Sequence, residues 1–377
     1  MTRRVVITGV DGFLGWHLSC RLRAMGTDTV VGLARAELAD HATATEALAR
    51  ADAVVHLAGV NRGTENDIEA GNQRAAQQLI DACDQGQSTP HLVYADSIHH
   101  DGDSAYGRGK RAADELFQTW ARMRGTTYAD VRLPNLFGEH GRPYYNSVVA
   151  TFCHELARGE MPIVTGDAEI PLLHAQAAAA ELIDASTTGA VGVIEPAGRP
   201  TRVTALRDQL VAQATCYTSG DIPDLSDGFA RDLFNTYRSY TFPHHFPMPI
   251  TGRLDERGAL FECVRAHGGT GQTFVSSSRP DVTRGDHFHL HKVERFVVIA
   301  GKGQIRLRRL LTDEVVTFDV GGDTPVIVDM PTMWSHSVVN TGPDDLITLF
   351  WSDELFDPEH SDTYAEPVVG SRELSMS

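Results

Sequence analysis

Apolar and polar residues alternate along the chain in two different rhythms. Up to about residue 215, short apolar runs such as "RRVVITGV", "DTVVGLA", "ADAVVHLAG", "HLVYADS" and "YADVRLPN" alternate with longer amphipathic stretches, "GWHLSCRLRAMG", "NQRAAQQLIDACDQG" and "RGKRAADELFQTWARMRG". Apolar runs of this length read as strands buried on both faces, and the stretches between them read as helices. The alternation predicts a parallel, doubly wound α/β sheet. The rhythm changes between Ser219 and Phe246, where a turn-rich stretch leads into the aromatic "LFNTYRSYTF". From about Pro247, short β-type runs are separated by Gly, Asp, Pro and Asn, which predicts an all-β barrel or sandwich. The division expected from this is residues 1–246 and 247–377. The closing stretch "YAEPVVGSRELSMS" reads as a tail.

Length agrees with two domains, since 377 residues exceed one ordinary core. The net charge of −17 argues against nucleic acid, which needs clustered Lys and Arg. Five widely spaced cysteines with no CxxC suit a reduced compartment. No apolar run approaches membrane-spanning length, and no signal-type core follows the first residues. A cytoplasmic protein with no membrane partner is expected.

Three features carry candidate chemistry. The first is "VVITGVDGFLGWHL", which sets Gly9, Gly12 and Gly15 between a strand and a helix. Glycines there permit a tight turn and let a pyrophosphate approach the open helix N-terminus, with Phe13 and Leu14 in the same turn. The second strand ends at Arg35 instead of an acid, so a 2′-phosphate, and hence NADPH, is favoured. "HLAGVNR" (His56 to Arg62) places Leu57, Ala58 and Gly59 beside the same cofactor.

The second feature is "YGRGK". Tyr106 and Lys110 lie four apart on one helix face, where an ammonium lowers the proton affinity of a phenol. The phenol is then able to protonate a carbonyl oxygen during reduction, and Ser97, ending "YADS", is placed to hydrogen-bond that oxygen. The third feature is "GDHFHLHKVERF" with "DMPTMWSHSVVN". His287, His289, Glu294 and His336 form a donor set suited to zinc or another borderline divalent metal. His291 reads either as a spare ligand or acid/base group or as a solvated residue.

"TGVDGFLG", "HLAGVN", Ser97, "YGRGK" and "RLPNLFG" resemble the extended short-chain dehydrogenase/reductases that modify nucleotide sugars. This resemblance implies Asn135 near the sugar nucleotide. "IPLLHAQAAAAEL" lacks the acidic pair usual in that group. HxHxxxxE followed by P…H…N resembles the two cupin motifs, with Met333 where Gly is usual. "LDERGALFE" and "SSSRPDVTRGDHFH" resemble cupins that epimerise 4-keto nucleotide sugars, which implies Arg257, Glu262 and Arg284 facing substrate.

The two halves together resemble the CapF type of bifunctional capsular-polysaccharide enzyme. That resemblance implies a homodimer acting on a UDP-linked 4-keto-6-deoxy-hexosamine. The metal domain would epimerise C3, and the reductase would then reduce C4 with NADPH. The product implied is UDP-N-acetyl-6-deoxy-L-talosamine, the precursor of UDP-N-acetyl-L-fucosamine. Two alternatives stay open: a single-activity reductase with a structural or sugar-binding cupin, and a non-catalytic NADP sensor.

Overall fold

The computed structural model describes residues 2–369. The chain forms two compact units. One runs through Phe137 and includes Glu169–Thr201; the other comprises Gly138–Ala168 and the chain from Arg202 on.

In the first unit, strands β1 (Arg3–Thr8), β2 (Asp28–Leu33), β3 (Ala53–His56), β4 (His91–Ser97) and β5 (Tyr128–Leu133) join Gly192–Ile194 in a six-stranded sheet. The order is β2-β1-β3-β4-β5 and then Gly192–Ile194, and every pairing is parallel. The expected doubly wound sheet is present. The central residues of β1, β3, β4 and β5 are mostly apolar and buried because helices cover both faces. Leu79, Phe117 and Trp120 from α4 (Glu65–Gln85) and α5 (Ala105–Arg124) pack on one face with Val54 and Tyr94. Leu18 and Leu22 from α1 (Phe13–Met25), with Leu182 and Ile183 from helix Ala175–Thr188, pack on the other with Val55, Val93 and Val131. Each fully buried aliphatic side chain contributes roughly 1.5–3 kcal/mol.

Local signals set the helix ends. Thr64 and Asp67 form a reciprocal capping box at the start of α4, and the Ser104 hydroxyl caps α5. Gly26 and Gly125 end α1 and α5 in the left-handed conformation. Two helices between β2 and β3, α2 (Arg35–Ala39) and α3 (His41–Leu48), were not evident from the periodicity.

The second unit carries two antiparallel five-stranded sheets. One is ordered Met248–Pro249, Val326–Met330, Glu294–Ala300, Leu346–Ser352, Gln272–Ser278. The other is ordered Val315–Gly321, Lys302–Arg309, Trp334–Asn340, Thr283–Phe288, Tyr364–Ala365. This is the all-β region expected after Pro247. Helices Val148–Ala157, Val203–Thr218 and Gly228–Thr241 fall in the same unit instead of with the parallel sheet. Specific bonds tie two of them to the strands. Tyr217 donates to Asp329 (2.8 Å), Asn235 to the His291 carbonyl (2.7 Å) and Arg238 to the Met330 carbonyl (2.7 Å).

The closing stretch is not simply a tail. Tyr364–Ala365 forms the last strand of the second sheet and Val368 is buried; its remainder from Gly370 lies outside the described residues. Among the described residues, no helix is long and apolar enough to cross a membrane.

Candidate active sites

The chain leaves β1 through Gly9, whose φ of +72° is left-handed. A Cβ on Gly9 would sit 2.8 Å from the Ala58 nitrogen, and one on Gly15 would sit 2.3 Å from the Gly9 oxygen. Only glycine permits this approach. Gly12 is the N-cap of α1 and supplies no capping side chain, so the first-turn N–H groups of Phe13, Leu14 and Gly15 face outward from the helix end. The turn lies where strand order reverses, between β1 and β3, which is the ligand-binding crevice of such sheets. Leu57, Ala58 and Gly59 leave β3 beside it. The Ala58 N–H donates to the Thr8 hydroxyl (3.3 Å), and Asn72 brackets Val60 through both its N–H and its C=O. Asn72 is a positioning residue that sequence reading missed, since it sits mid-helix without a local signal. Arg35 starts α2 and is exposed.

Ser97 is the last residue of β4, and Tyr106 lies in the first turn of α5. Lys110 is 5% exposed, and its ammonium donates to the Ala95 carbonyl at 2.7 Å. That nitrogen lies 4.6 Å from the Tyr94 ring centre and 5.8 Å from that of Tyr106. Among the described residues it has no carboxylate ion pair, so its field falls on neighbouring rings and on whatever enters the crevice. Burial, aided by Lys110, pulls His56 down to about 3, so its ring is neutral.

Behind this pair is a polar layer that no motif reveals. His100 bonds Asp96 through Nδ1, pinning the turn between Ser97 and Tyr106. Asp130, bound by Arg132 at 2.9 Å, is pushed up to about 7 by burial and by Asp96. Asn135 lies just past β5, with its amide 3.4 Å from the Pro171 carbonyl.

In the second unit, His287 and His336 face each other on paired strands, with ring centres 4.6 Å apart. His289 follows the end of strand Thr283–Phe288, and Glu294 opens the facing sheet. The Glu294 carboxylate oxygen lies 2.9 Å from His289 Nε2 and 3.5 Å from His336 Nε2. One donor atom from each of the four residues falls within 4.8 Å of all the others.

The donor nitrogens are prepared for a cation. His289 Nδ1 donates to the Asp362 carbonyl (2.5 Å) and His336 Nδ1 faces the Trp334 carbonyl (3.3 Å), which leaves both Nε2 lone pairs turned inward. Both Nε2 atoms are buried and have no hydrogen-bond partner besides the Glu294 carboxylate. Burial, with His336 and His289 alongside, pulls His287 down to about 3. Burial also opposes charge on Glu294, but the two histidines outweigh it and hold the carboxyl well below its usual range. Three imidazoles and a carboxylate, with donor atoms within 4.8 Å of one another, fit a borderline divalent metal.

His291 does not join the cluster. It leaves the strand alternation and pairs with Glu354 and Asp362, each at 3.2 Å. Strand Thr283–Phe288 ends before His291, so strand alternation does not carry through to it. The cluster also comprises none of Arg257, Glu262 and Arg284. Arg257 is held by Asp255 (2.6 Å) within the exposed hairpin Arg253–Leu260, and Glu262 is exposed. Arg284 donates to the Ser278 hydroxyl (3.0 Å) and the Ser277 carbonyl (3.2 Å). Asp362, about 70 residues from the turn it binds, is a supporting residue that only the structure reveals.

Residues 5–188 match the NAD dependent epimerase/dehydratase family, and residues 253–364 match the polysaccharide biosynthesis C-terminal domain. The chain is 33% identical over 370 residues to the UDP-2-acetamido-2,6-beta-L-arabino-hexul-4-ose reductase of Pseudomonas aeruginosa, covering 96% of this chain and 98% of that one. It resembles the capsular polysaccharide assembling protein CapF of Staphylococcus aureus at 31% identity and a TM-score of 0.61, covering 97% of this chain and all of the other. The UDP-N-acetylglucosamine 4-epimerase of Bacillus cereus, 21% identical over 56% of this chain and 82% of its own length with a TM-score of 0.52, shares the fold of the N-terminal region.

Fold, glycine turn and matches together define an NAD(P)-dependent enzyme of the reductase/epimerase class. The full-length similarity goes further: the chain belongs to the CapF family.

Proposed function

We propose that the protein is a bifunctional nucleotide-sugar enzyme of capsule or O-antigen synthesis. Its C-terminal unit epimerises C3 of a UDP-linked 4-keto-6-deoxy-N-acetylhexosamine. Its N-terminal unit then reduces C4, giving UDP-N-acetyl-6-deoxy-L-talosamine, the precursor of UDP-N-acetyl-L-fucosamine. The reductase named among its relatives acts on a sugar of this class. The observation that carries the reading is the presence of two chemically independent sites in one chain: a buried ammonium beside Tyr106, and a buried cluster of three imidazoles and a carboxylate.

NADPH, when bound, supplies the hydride for C4, and exposed Arg35 favours its 2′-phosphate. Tyr106 gives its hydroxyl proton to the C4 oxygen. Lys110 keeps that proton transferable by stabilising the phenolate left behind, and Ser97 hydrogen-bonds the same oxygen.

A divalent ion such as Zn²⁺ held by His287, His289, Glu294 and His336 supplies Lewis acidity toward the ketone, the property that makes the C3 hydrogen removable. Arg257, Glu262 and Arg284 are assigned to substrate contact in that unit, and Asn135 to the sugar nucleotide in the other. The order follows from chemistry. Reduction of C4 removes the acidity at C3, so epimerisation must come first and reduction locks its outcome.

The enzyme works as a cytoplasmic homodimer in this reading. Support comes from the hairpin Arg253–Leu260, where Leu254 is 80% and Leu260 65% exposed. Exposed apolar residues on such a hairpin suit a second subunit.

The test is turnover of the UDP-4-keto sugar with NADPH, followed by NMR of the product. Wild type should yield the C3-inverted alcohol. Tyr106→Phe should lose reduction by roughly 100-fold or more while still binding NADPH. A chelator should give the alcohol with C3 retained, or none. C3-inverted product at full rate in chelator would overturn the metal assignment and favour a single-activity reductase with a structural barrel.

A further inference from the structure

The residues between strand Leu346–Ser352 and the edge strand Tyr364–Ala365 reach the histidine cluster, and Asp362 stands at the centre of that contact. It is 5% exposed and has a φ of +41°, a left-handed conformation that Asp and Asn tolerate better than most side chains. Its carboxylate accepts three consecutive main-chain N–H groups: Leu290 on Oδ1 (3.1 Å), and His291 (2.9 Å) and Lys292 (2.8 Å) on Oδ2. Its own main-chain oxygen accepts the His289 Nδ1 proton at 2.5 Å. These bonds converge on the turn that carries the chain from His289 to Glu294. Just beyond, Tyr364 and Ala365 pair with Phe288 and His287, and the Glu366 N–H donates to the Asp286 carbonyl (2.8 Å). The segment therefore grips the ligand-bearing strand at the bulge between Gly285 and His287 and through the residues that follow it.

We propose that Asp362 is a positioning residue for the metal cluster. Its main-chain oxygen selects the His289 tautomer with Nδ1 protonated and turns Nε2 toward Glu294. Its carboxylate nest freezes the Leu290–Lys292 turn, so that His289 and Glu294 are presented together. The inference rests on the metal reading of the cluster. It adds that affinity depends on a carboxylate that is not a ligand.

The test is Zn²⁺ affinity of the full chain, measured by competition with a chromophoric chelator, with thermal unfolding in EDTA as the control for fold. Asp362→Asn preserves volume and tolerates the backbone, but places an N–H₂ where two donors need an acceptor. It should bind Zn²⁺ roughly 10- to 100-fold more weakly than wild type. Thr363→Val, which removes the hydroxyl's contacts to the Lys292 ammonium (3.0 Å) and the Ser361 carbonyl (2.9 Å) but none to the Asp362 carboxylate, should stay within about threefold. Wild-type affinity in a folded Asp362→Asn protein overturns the inference. A wild type whose Zn²⁺ binding is unaffected by His336→Ala fails at the earlier step, because the cluster is then not the metal site. Should Asp362→Asn not fold, hydrogen exchange at the Leu290, His291 and Lys292 amides of wild type decides. Zn²⁺ should slow all three if turn and site are coupled, and unchanged exchange overturns the proposal.

Discussion

Replacing Gly15 by alanine tests the cofactor turn with a magnitude fixed by geometry. The added Cβ would lie 2.3 Å from the Gly9 oxygen and 2.7 Å from the Val10 oxygen, where ordinary contact begins near 3.4 Å. The turn must retreat by about 1 Å. It has little room to do so, because Gly9 already sits so close to Ala58 that its own Cβ would meet the Ala58 nitrogen at 2.8 Å. A displacement of that size breaks one or two N–H bonds to a pyrophosphate, each worth about 1.5–3 kcal/mol. The expected loss is roughly 2–4 kcal/mol, or about 30- to 1000-fold in the NADPH dissociation constant. Titration of NADPH fluorescence measures it, with circular dichroism confirming the fold. Gly166→Ala, where a Cβ meets nothing within 4 Å, is the control. A folded Gly15→Ala protein binding NADPH within threefold of wild type would refute the reasoning.

Three other perturbations read other parts of the molecule. Arg35→Ala should weaken NADPH by about tenfold or more and leave NADH little changed, because only the former carries the 2′-phosphate; equal losses would contradict the assignment. Asp130 titrates near 7 in the folded chain, well above an unfolded carboxyl. The folded state therefore binds the extra proton, and stability falls as pH rises from about 4 to about 7. Asp130→Asn should raise stability at pH 8, by on the order of 2 kcal/mol, with the gain gone by pH 4 in chemical denaturation; a pH-independent effect would sink this. Arg295→Met strips Asp329 of a buried bidentate partner (2.7 and 2.9 Å) and should cost about 3–5 kcal/mol, whereas Arg295→Met with Asp329→Leu should recover much of it.

What could be read in advance was local. The apolar runs that became β1–β5, the glycine turn and the Tyr106–Lys110 spacing each depend on residues within a few positions of one another. Even His287, His289, Glu294 and His336 were found as one donor set because short spacings and a second histidine-bearing run signalled it. The reading failed where distance in sequence carried the structure. Asn72 and Asp362 act through main-chain groups 12 and about 70 residues away, and neither has a motif. Helices Val203–Thr218 and Gly228–Thr241 bond to strands near Met330, which no periodicity announces. The alternatives left open for His291 are decided by the strand end at Phe288 and by Glu354 and Asp362, partners more than 60 residues away.

The central claim is that the chain carries an epimerase beside its reductase. Incubating the protein without NADPH in heavy water with the UDP-4-keto-6-deoxy-N-acetylhexosamine, and following the C3 proton by NMR, isolates that claim. The account predicts deuterium at C3 that disappears with chelator or with His336→Ala, while Tyr106→Phe exchanges normally. No incorporation by a protein that oxidises NADPH on the same substrate would contradict it and leave a reductase with a single activity.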